Sequence, residues 1–124
     1  MTTVAAYVVV KDNELLLDDA APDQNFDLFD APDADLGAFA VLTCRLRPSQ
    51  EDIRLRIRLN NQIVGDDNLF NGGKGTWNEV IEPGSLKDLG NCLRVELLSP
   101  DGSAAPPDSH LGISNVAMSY SIQI

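Results

Sequence analysis

This sequence has very little histidine and no recognisable catalytic motif. Its 124 residues include one histidine, His110, which has no serine or cysteine partner at a characteristic spacing. Acidic residues are so numerous that pairing any two of them as the carboxylates of a glycosidase would be arbitrary. The sequence therefore predicts a protein that is not an enzyme, and no catalytic residue is assigned.

Cysteine is also rare, and only Cys44 and Cys92 are present. Two cysteines do not form a disulfide framework, and these two do not form a Cys-x-x-Cys motif. Each belongs to an apolar run, so we expect both to act as small buried hydrophobic side chains. A disulfide between two strands and a reactive thiol are the alternatives that the sequence leaves open.

Basic residues are few, because 9 Lys and Arg stand against 19 Asp and Glu and give a net charge of −10. Neutralising phosphates requires clustered basic side chains, so this excess of acid argues against nucleic acid and against anionic membranes as partners. No apolar run approaches the roughly 18 residues of a transmembrane helix. The N-terminus lacks the features of a secretory signal. These observations predict a cytoplasmic protein, with export by another route left open.

Strict alternation of apolar and polar residues is what the sequence has in abundance. In Asp52–Asn60 every second residue is Ile or Leu, and arginines lie between them. The same period of two recurs in Ser114–Ile124 and around Leu93–Leu97, and it indicates strands with one buried and one solvated face. Clusters of Pro, Gly, Asn and Asp separate the other candidate strands, which are Thr3–Val10, Glu14–Asp18, Ala38–Arg47, Gln62–Val64 and Thr76–Ile81.

This pattern of short strands without convincing helices predicts an all-β fold. We predict one domain over residues 1–124, an antiparallel, jelly-roll-like β-sandwich of about eight strands. Two segments interrupt the alternation. Asp18–Asp35 is predicted to be a long acidic loop that Phe26, Leu28 and Phe29 could anchor, and the proline-rich Ser99–Ser109 is predicted to be a flexible surface loop.

A family resemblance appears in the segment Arg58–Leu97. Asn60-Asn61 ends one strand and can accept the positive φ of a tight hairpin. A strand with Trp77 follows, and Gly90-Asn91 leads into the next strand. This succession resembles the galactose-binding-like jelly rolls, the group that includes many carbohydrate-binding modules. The segment Gly112–Val116 is also similar to the last strand of such domains. The resemblance implies the β-sandwich fold and makes carbohydrate the favoured ligand, although Asn61 stands where Gly is usual and no sugar-contact motif matches residue by residue.

A glycine-rich segment, Asn68–Gly75, is the first candidate ligand site. Phe70 would leave an apolar ring near solvent there, beside the polar side chains of Asn71 and Lys74. Trp77, on the strand that follows, is the other aromatic candidate for contact with a sugar. The alternatives are that Phe70 lies under its own loop and that Trp77 packs in the core.

Acidic pairs make a structural calcium ion the one cofactor worth considering. Calcium prefers several oxygen ligands, which Asp33 with Asp35 and Asp66 with Asp67 could supply. The spacing of an EF-hand is missing. Acidic loops that are simply solvated are the alternative, and no other cofactor is predicted.

Arginines are concentrated in the middle of the chain and form a candidate interaction surface. If the segment after Arg47 turns a hairpin, arginines of the two flanking strands would share one face. We expect such a face to attract an acidic segment, either Asp18–Asp35 of the same chain or that of a neighbouring subunit. A solvated face with nearby acids is the alternative. The arginines are Arg45, Arg47, Arg54, Arg56 and Arg58.

The function that these observations favour is a non-catalytic binding or interaction module, with carbohydrate as the favoured ligand through the resemblance. The first alternative is a structural subunit of a homo-oligomer or larger protein assembly, because the charge distribution is asymmetric and aromatic residues are few. A small hydrolase is the less favoured second alternative.

Overall fold

Nine β-strands form two antiparallel sheets in the computed structural model, which describes residues 2–49, 52–69 and 75–123. The strands are β1 (Thr3–Lys11), β2 (Leu15–Asp18), β3 (Asp23–Asn25), β4 (Ala40–Pro48), β5 (Ile53–Leu59), β6 (Gln62–Leu69), β7 (Gly75–Ile81), β8 (Leu93–Leu98) and β9 (His110–Gln123). The predicted all-β sandwich is confirmed. The described part of the chain contains no helix long and apolar enough to cross a membrane.

The two sheets differ in size and order. Sheet A has the order β1-β9-β4-β7. β2 also pairs with β9: it lies beside the first part of β9, on the same side as β1, which pairs with the later part. Sheet B has the order β3-β8-β5-β6. Most connections therefore pass from one sheet to the other, and β5–β6 is a hairpin between neighbours in the same sheet.

The strand predictions are largely confirmed, with differences at the ends. β6 is longer than the predicted Gln62–Val64, and β9 begins at His110 rather than Ser114. The short strand β3 lies inside the segment predicted to be an acidic loop. It pairs with β8 through only three residues, and a strand this short leaves no alternation to recognise.

Alternation places one side of each long strand between the sheets. In β5 the residues Ile53, Leu55, Ile57 and Leu59 are buried, and every residue between them is half-buried on the outer side. β8 and β9 contribute Val95, Leu97 and Met118 in the same way. Burial of one such side chain stabilises the fold by about 2 kcal/mol, so the inner faces of the two sheets hold the sandwich together.

The hairpin between β5 and β6 has the backbone that the sequence predicts. Asn60 and Asn61 both have positive φ, at 51° and 70°. Two consecutive residues in this region form the tight turn that matches the twist of a β-hairpin, and asparagine tolerates it better than most residues. The turn thus fixes the register in which β6 lies beside β5.

The expected hairpin between the two arginine-bearing strands is wrong. β4 belongs to sheet A and β5 to sheet B, so the chain crosses between the sheets after Pro48. Ser49 at this crossover is buried, and its backbone N–H donates to the His110 carbonyl at 2.8 Å. Arg45 and Arg47 therefore lie on a different face from Arg54, Arg56 and Arg58.

Two of the three predicted anchors hold the acidic segment. Phe26 and Phe29 are buried, whereas Leu28 is exposed to solvent. The backbone of Phe29 forms a bridge with Asn91, and the N–H of Phe26 donates to the carbonyl of Leu93 at 2.9 Å. The segment is therefore attached to the body at the edge of sheet B.

Candidate functional site

The outer face of sheet B is covered by a network of opposite charges. Arg54, Arg56 and Arg58 project from β5, where cross-strand pairing sets Arg56 between Asp66 of β6 and Glu96 of β8. Arg54 Nε lies 2.6 Å from Asp66 Oδ1, Arg56 Nε lies 3.3 Å from Asp66 Oδ2, and Arg58 Nε lies 2.5 Å from Glu96 Oε1. Each of these arginines therefore has an acidic partner within its own sheet.

The charged side chains of this network are paired with one another within sheet B. The hydrogen bond from Arg54 is the main cause that holds the pKa of Asp66 below its ordinary value. Arg94 of β8 pairs with Asp23 of β3, which is the contact that the acidic segment makes with this face. Arg54, Arg56 and Arg58 thus fit the alternative of a solvated face with nearby acids. Their role as an interaction surface stays a prediction.

The outer face of sheet A is uncharged over most of its area. In cross-strand order, Tyr7 of β1 lies beside Ser119 of β9, Val41 of β4 and Val80 of β7. The next row has only small or polar neutral side chains beside Val9. We call this surface the uncharged face, and its members are Ala5, Tyr7, Val9, Phe39, Val41, Thr43, Asn78, Val80, Ala117, Ser119 and Ser121.

Two aromatic side chains stand out from the uncharged face. Tyr7 is 72% exposed and Phe39, just before β4, is 62% exposed. β9 separates their strands and presents the small side chains of Ala117, Ser119 and Ser121 between them, so the centre of the face is shallow. Strand spacing places the backbones of Tyr7 and Phe39 about 12 Å apart. Exposed aromatic and aliphatic groups gathered on one face of a soluble protein mark an interaction site more often than scattered ones do.

A groove of about 330 Å³ continues the outer face of sheet A past its uncharged part. Its lining includes Arg45, Arg47, Glu14 and the hydroxyls of Thr76 and Ser114. Arg47 donates to Glu14 through Nε at 3.0 Å and through Nη2 at 2.5 Å, and these bonds are the main cause that lowers the pKa of the Glu14 carboxyl. The groove thus offers polar and charged groups at one end of an apolar surface, the arrangement typical of ligand sites.

Only part of the predicted glycine-rich site lies within the described residues. Phe70, Asn71 and Lys74 lie outside the described residues. Trp77 lies on the inner side of β7 with 9% of its surface exposed, and its Nε1–H donates to Glu79 Oε1 at 3.1 Å. Alternation on β7 turns the indole inward, as in the alternative that Trp77 packs in the core, and its role in ligand contact stays a prediction.

The two acidic pairs proposed for calcium lie in different parts of the sandwich. Asp33 and Asp35 precede β4 near the end of β9, where Asp35 accepts hydrogen bonds from the N–H of Gly37 and from Gln123. Asp66 and Asp67 belong to β6, and Asp66 is engaged by arginines. Among residues 2–49, 52–69 and 75–123 no group of three or more His, Cys, Asp or Glu side chains could hold a metal ion. Calcium binding stays a prediction.

The two cysteines and the histidine differ in their burial. Cys44 and Cys92 are not bonded to each other, and burial raises the pKa of the Cys44 thiol to about 12. Cys44 is fully buried, as predicted, whereas Cys92 is only half-buried. His110 opens β9 on its exposed side opposite Asp18, and the neighbouring Ser109 donates its hydroxyl hydrogen bond to the Pro106 carbonyl at 2.6 Å.

The sequence prediction missed Tyr7 and Phe39. A signal was available for Tyr7, because Ala5, Tyr7 and Val9 occupy the solvent side of a strand and none is charged. An outward row without charge is unusual in a chain of net charge −10. Phe39 lies in a connecting segment, where no periodicity assigns a side to a residue.

Comparison with known proteins defines the fold class. No family model matches this chain, and no curated protein matches it significantly. Among solved structures, the CBM36-1 domain of a multidomain xylanase from the hindgut metagenome of Trinervitermes trinervoides superposes with a TM-score of 0.55 at 9% identity, covering 98% of this chain and 100% of that domain. The chain thus has the fold of the carbohydrate-binding-module-like β-sandwiches, as the sequence resemblance implies.

Larger proteins contain the same fold as one part. Dimeric latent PorU from Porphyromonas gingivalis gives a TM-score of 0.58 at 8% identity over 94% of this chain, which spans 13% of that protein. The T13 viral particle of infectious bursal disease virus gives a TM-score of 0.57 at 12% identity over 98% of this chain, which spans 31% of the viral chain. These low identities show a shared fold and nothing finer.

Proposed function

We propose that this protein is a non-catalytic carbohydrate-binding domain and that its ligand lies along the uncharged face of sheet A. The observation that carries the proposal is the pair of exposed rings, Tyr7 and Phe39, on a face that also presents neutral hydroxyl and amide groups. Sugars combine apolar C–H faces with many hydroxyl groups. Aromatic rings pack against the first, and neutral polar side chains form hydrogen bonds with the second.

The shape of the uncharged face favours an extended glycan over a single sugar. The face is shallow, and Tyr7 and Phe39 lie far enough apart, at about 12 Å, for one chain of sugar rings to contact both. The groove beside Arg45 would receive one end of such a chain. The likeness to a domain of a xylanase over its whole length supports this class of ligand.

Binding to a panel of soluble polysaccharides, measured by affinity electrophoresis and calorimetry, tests the proposal. Tyr7→Ala and Phe39→Ala should each weaken binding at least tenfold, because each removes one ring from the surface. Leu28→Ala is the matched control, since Leu28 is 69% exposed but lies outside the uncharged face. Each titration is run with calcium and with a chelator.

The outcomes separate the proposal from its alternatives. Binding that both aromatic variants weaken and the control leaves unchanged supports the uncharged face. A protein that binds no glycan, or one whose binding ignores Tyr7 and Phe39, would refute the proposal. Binding that disappears with the chelator would in addition support the predicted role of the acidic pairs in holding calcium.

A further inference from the structure

The edge of sheet A formed by β1 is open. Within the described residues β1 pairs with β9 on one side, and the backbone N–H and C=O groups on its other side have no strand beside them. β1 is nine residues long and its pairing with β9 is regular from Thr3 to Val9. A long regular edge of this kind is a template on which another strand can pair.

The other edge strands of the described sheets carry features that discourage such pairing. β2 has only four residues, and β3 has only three and follows Pro22. β6 carries Asp66 and Asp67 and a register shift near its start. β7 carries Glu79 on its inner side. Short strands, charges, irregular register and inward acids are the means by which proteins protect their edges.

β1 has none of these features over residues 3–9. Its sequence from Thr3 to Val10 contains no charge, no proline and no glycine, and it is rich in β-branched residues that favour strands. The first charged residue is Lys11, beyond the register shift that follows Val9. The contrast with the protected edges indicates that β1 is left open for a partner strand.

We propose that this partner is β1 of a second copy, paired antiparallel about a two-fold axis at Tyr7. Tyr7 is the midpoint of Thr3–Lys11, so this register pairs the whole strand with itself. Ala5 of one chain then faces Val9 of the other, and Lys11 faces Thr3. Like charges therefore do not meet across the pair, and a self-complementary patch is what a two-fold dimer requires.

The charge of the molecule makes β1 a favourable place for two copies to meet. Each chain has a net charge of −10, so contact through an acidic surface would set like charges against each other. Residues 2–10 contain no acid, and Lys11 adds one positive charge. Pairing would also join the uncharged faces of the two copies into one continuous surface, since sheet A continues across the new strand pair.

The expected dimer is weak, because pairing two edges along about 30 Å of backbone gives a small interface. Analytical ultracentrifugation at about 5 to 500 µM chain should show a species of twice the 13.4 kDa chain mass that grows with concentration. Its dissociation constant should fall as sodium chloride is raised from about 10 mM to 500 mM, because salt screens the repulsion between acidic chains.

Charge-pair variants test the register directly. Ala5→Glu with Val9→Glu sets carboxylates opposite each other in both halves of the pair and should weaken the dimer at least tenfold. Ala5→Lys with Val9→Glu sets opposite charges there and should restore it. Val80→Glu is the matched control, because Val80 is an exposed valine of the same face on β7 at the far edge of the sheet. Circular dichroism checks that each variant is folded.

Each result decides the matter. A concentration-dependent dimer that the paired glutamates weaken, the mixed charges restore and Val80→Glu leaves unchanged supports the proposal. A protein that stays monomeric throughout the concentration range overturns it. So does a dimer that responds to Val80→Glu and not to the β1 variants. Glycan binding enters none of these readouts, so this inference stands or falls separately from the proposed function.

Discussion

Asn91 is the buried polar residue on which the strongest stability prediction rests. Its side chain is completely buried, and both its amide nitrogen and its amide oxygen form hydrogen bonds. Nδ2 donates to the carbonyls of Lys87 at 2.7 Å and Phe29 at 3.2 Å, and Oδ1 accepts from the Lys87 N–H at 2.8 Å and from Asn60 Nδ2 at 3.0 Å. One amide group thus connects the loop before β8, the acidic segment and the β5–β6 turn.

Asn91→Asp changes this chemistry with almost no change in volume. A carboxylate cannot donate, so the carbonyl of Lys87 loses its bond and two carbonyl oxygens face a buried negative charge. The lost hydrogen bond to a buried carbonyl and the poorly solvated charge together lower the free energy of unfolding by about 4 kcal/mol. A domain of this size is typically stable by about 5 to 15 kcal/mol, so the variant should remain folded with a reduced free energy of unfolding.

Urea unfolding followed by the fluorescence of Trp77, the single tryptophan, measures the effect. Burial next to carbonyls raises the folded-state pKa of the introduced carboxyl, so the folded protein binds the proton more tightly than the unfolded chain does. The penalty should therefore shrink as pH falls from about 7 to 4. Asn61→Asp, an exposed turn position with positive φ, is the control.

A penalty of less than about 1 kcal/mol for Asn91→Asp would refute the reasoning, because the hydrogen bonds would then carry little of the stability. So would a penalty that stays the same from neutral to acidic pH, since the buried charge could not then be its cause.

Three further predictions follow from local geometry. Asn61→Gly should raise the free energy of unfolding by about 0.5 kcal/mol in calorimetry, because glycine accepts the φ of 70° without strain; a loss would contradict the turn assignment. A thiol reagent at pH 8 should label Cys92 but leave Cys44, with its pKa near 12, unlabelled until the protein unfolds; labelling of Cys44 in the native state would contradict its burial. Asp66 has a lowered folded-state pKa, so its contribution to stability is present above about pH 4 and lost as pH falls further. Asp66→Asn should therefore weaken the pH dependence of the free energy of unfolding in the acid range. An unchanged pH dependence would show that the Arg54 pair contributes nothing.

The strands could be predicted from the sequence because alternation is a local property. In β5 each apolar residue is two positions from the next, and an extended backbone turns all of them to one side whatever the neighbours are. The turn at Asn60 and Asn61 is likewise local, since it depends on which residues tolerate positive φ. β3 escaped prediction because three residues carry too little pattern.

Which strands become neighbours was decided by the tertiary structure. The sequence places Arg47 and Arg54 seven positions apart, yet the crossover after Pro48 sends them to opposite faces of the sandwich. Glu96 became the partner of Arg58 only because β8 pairs with β5. Such long-range pairings depend on packing of the complete core and leave no local signal.

The sequence by itself determined the fold class, the side of each long strand that is buried, the tight turn and the acidic character of the chain. Only the tertiary structure decided that one outer face is a neutralised charge network and the other an uncharged face. Tyr7 lies beside Ser119, which is far away in the chain, because sheet pairing brings β1 against β9. A surface is assembled from strands that are distant in sequence, so its chemistry becomes visible once those strands are side by side.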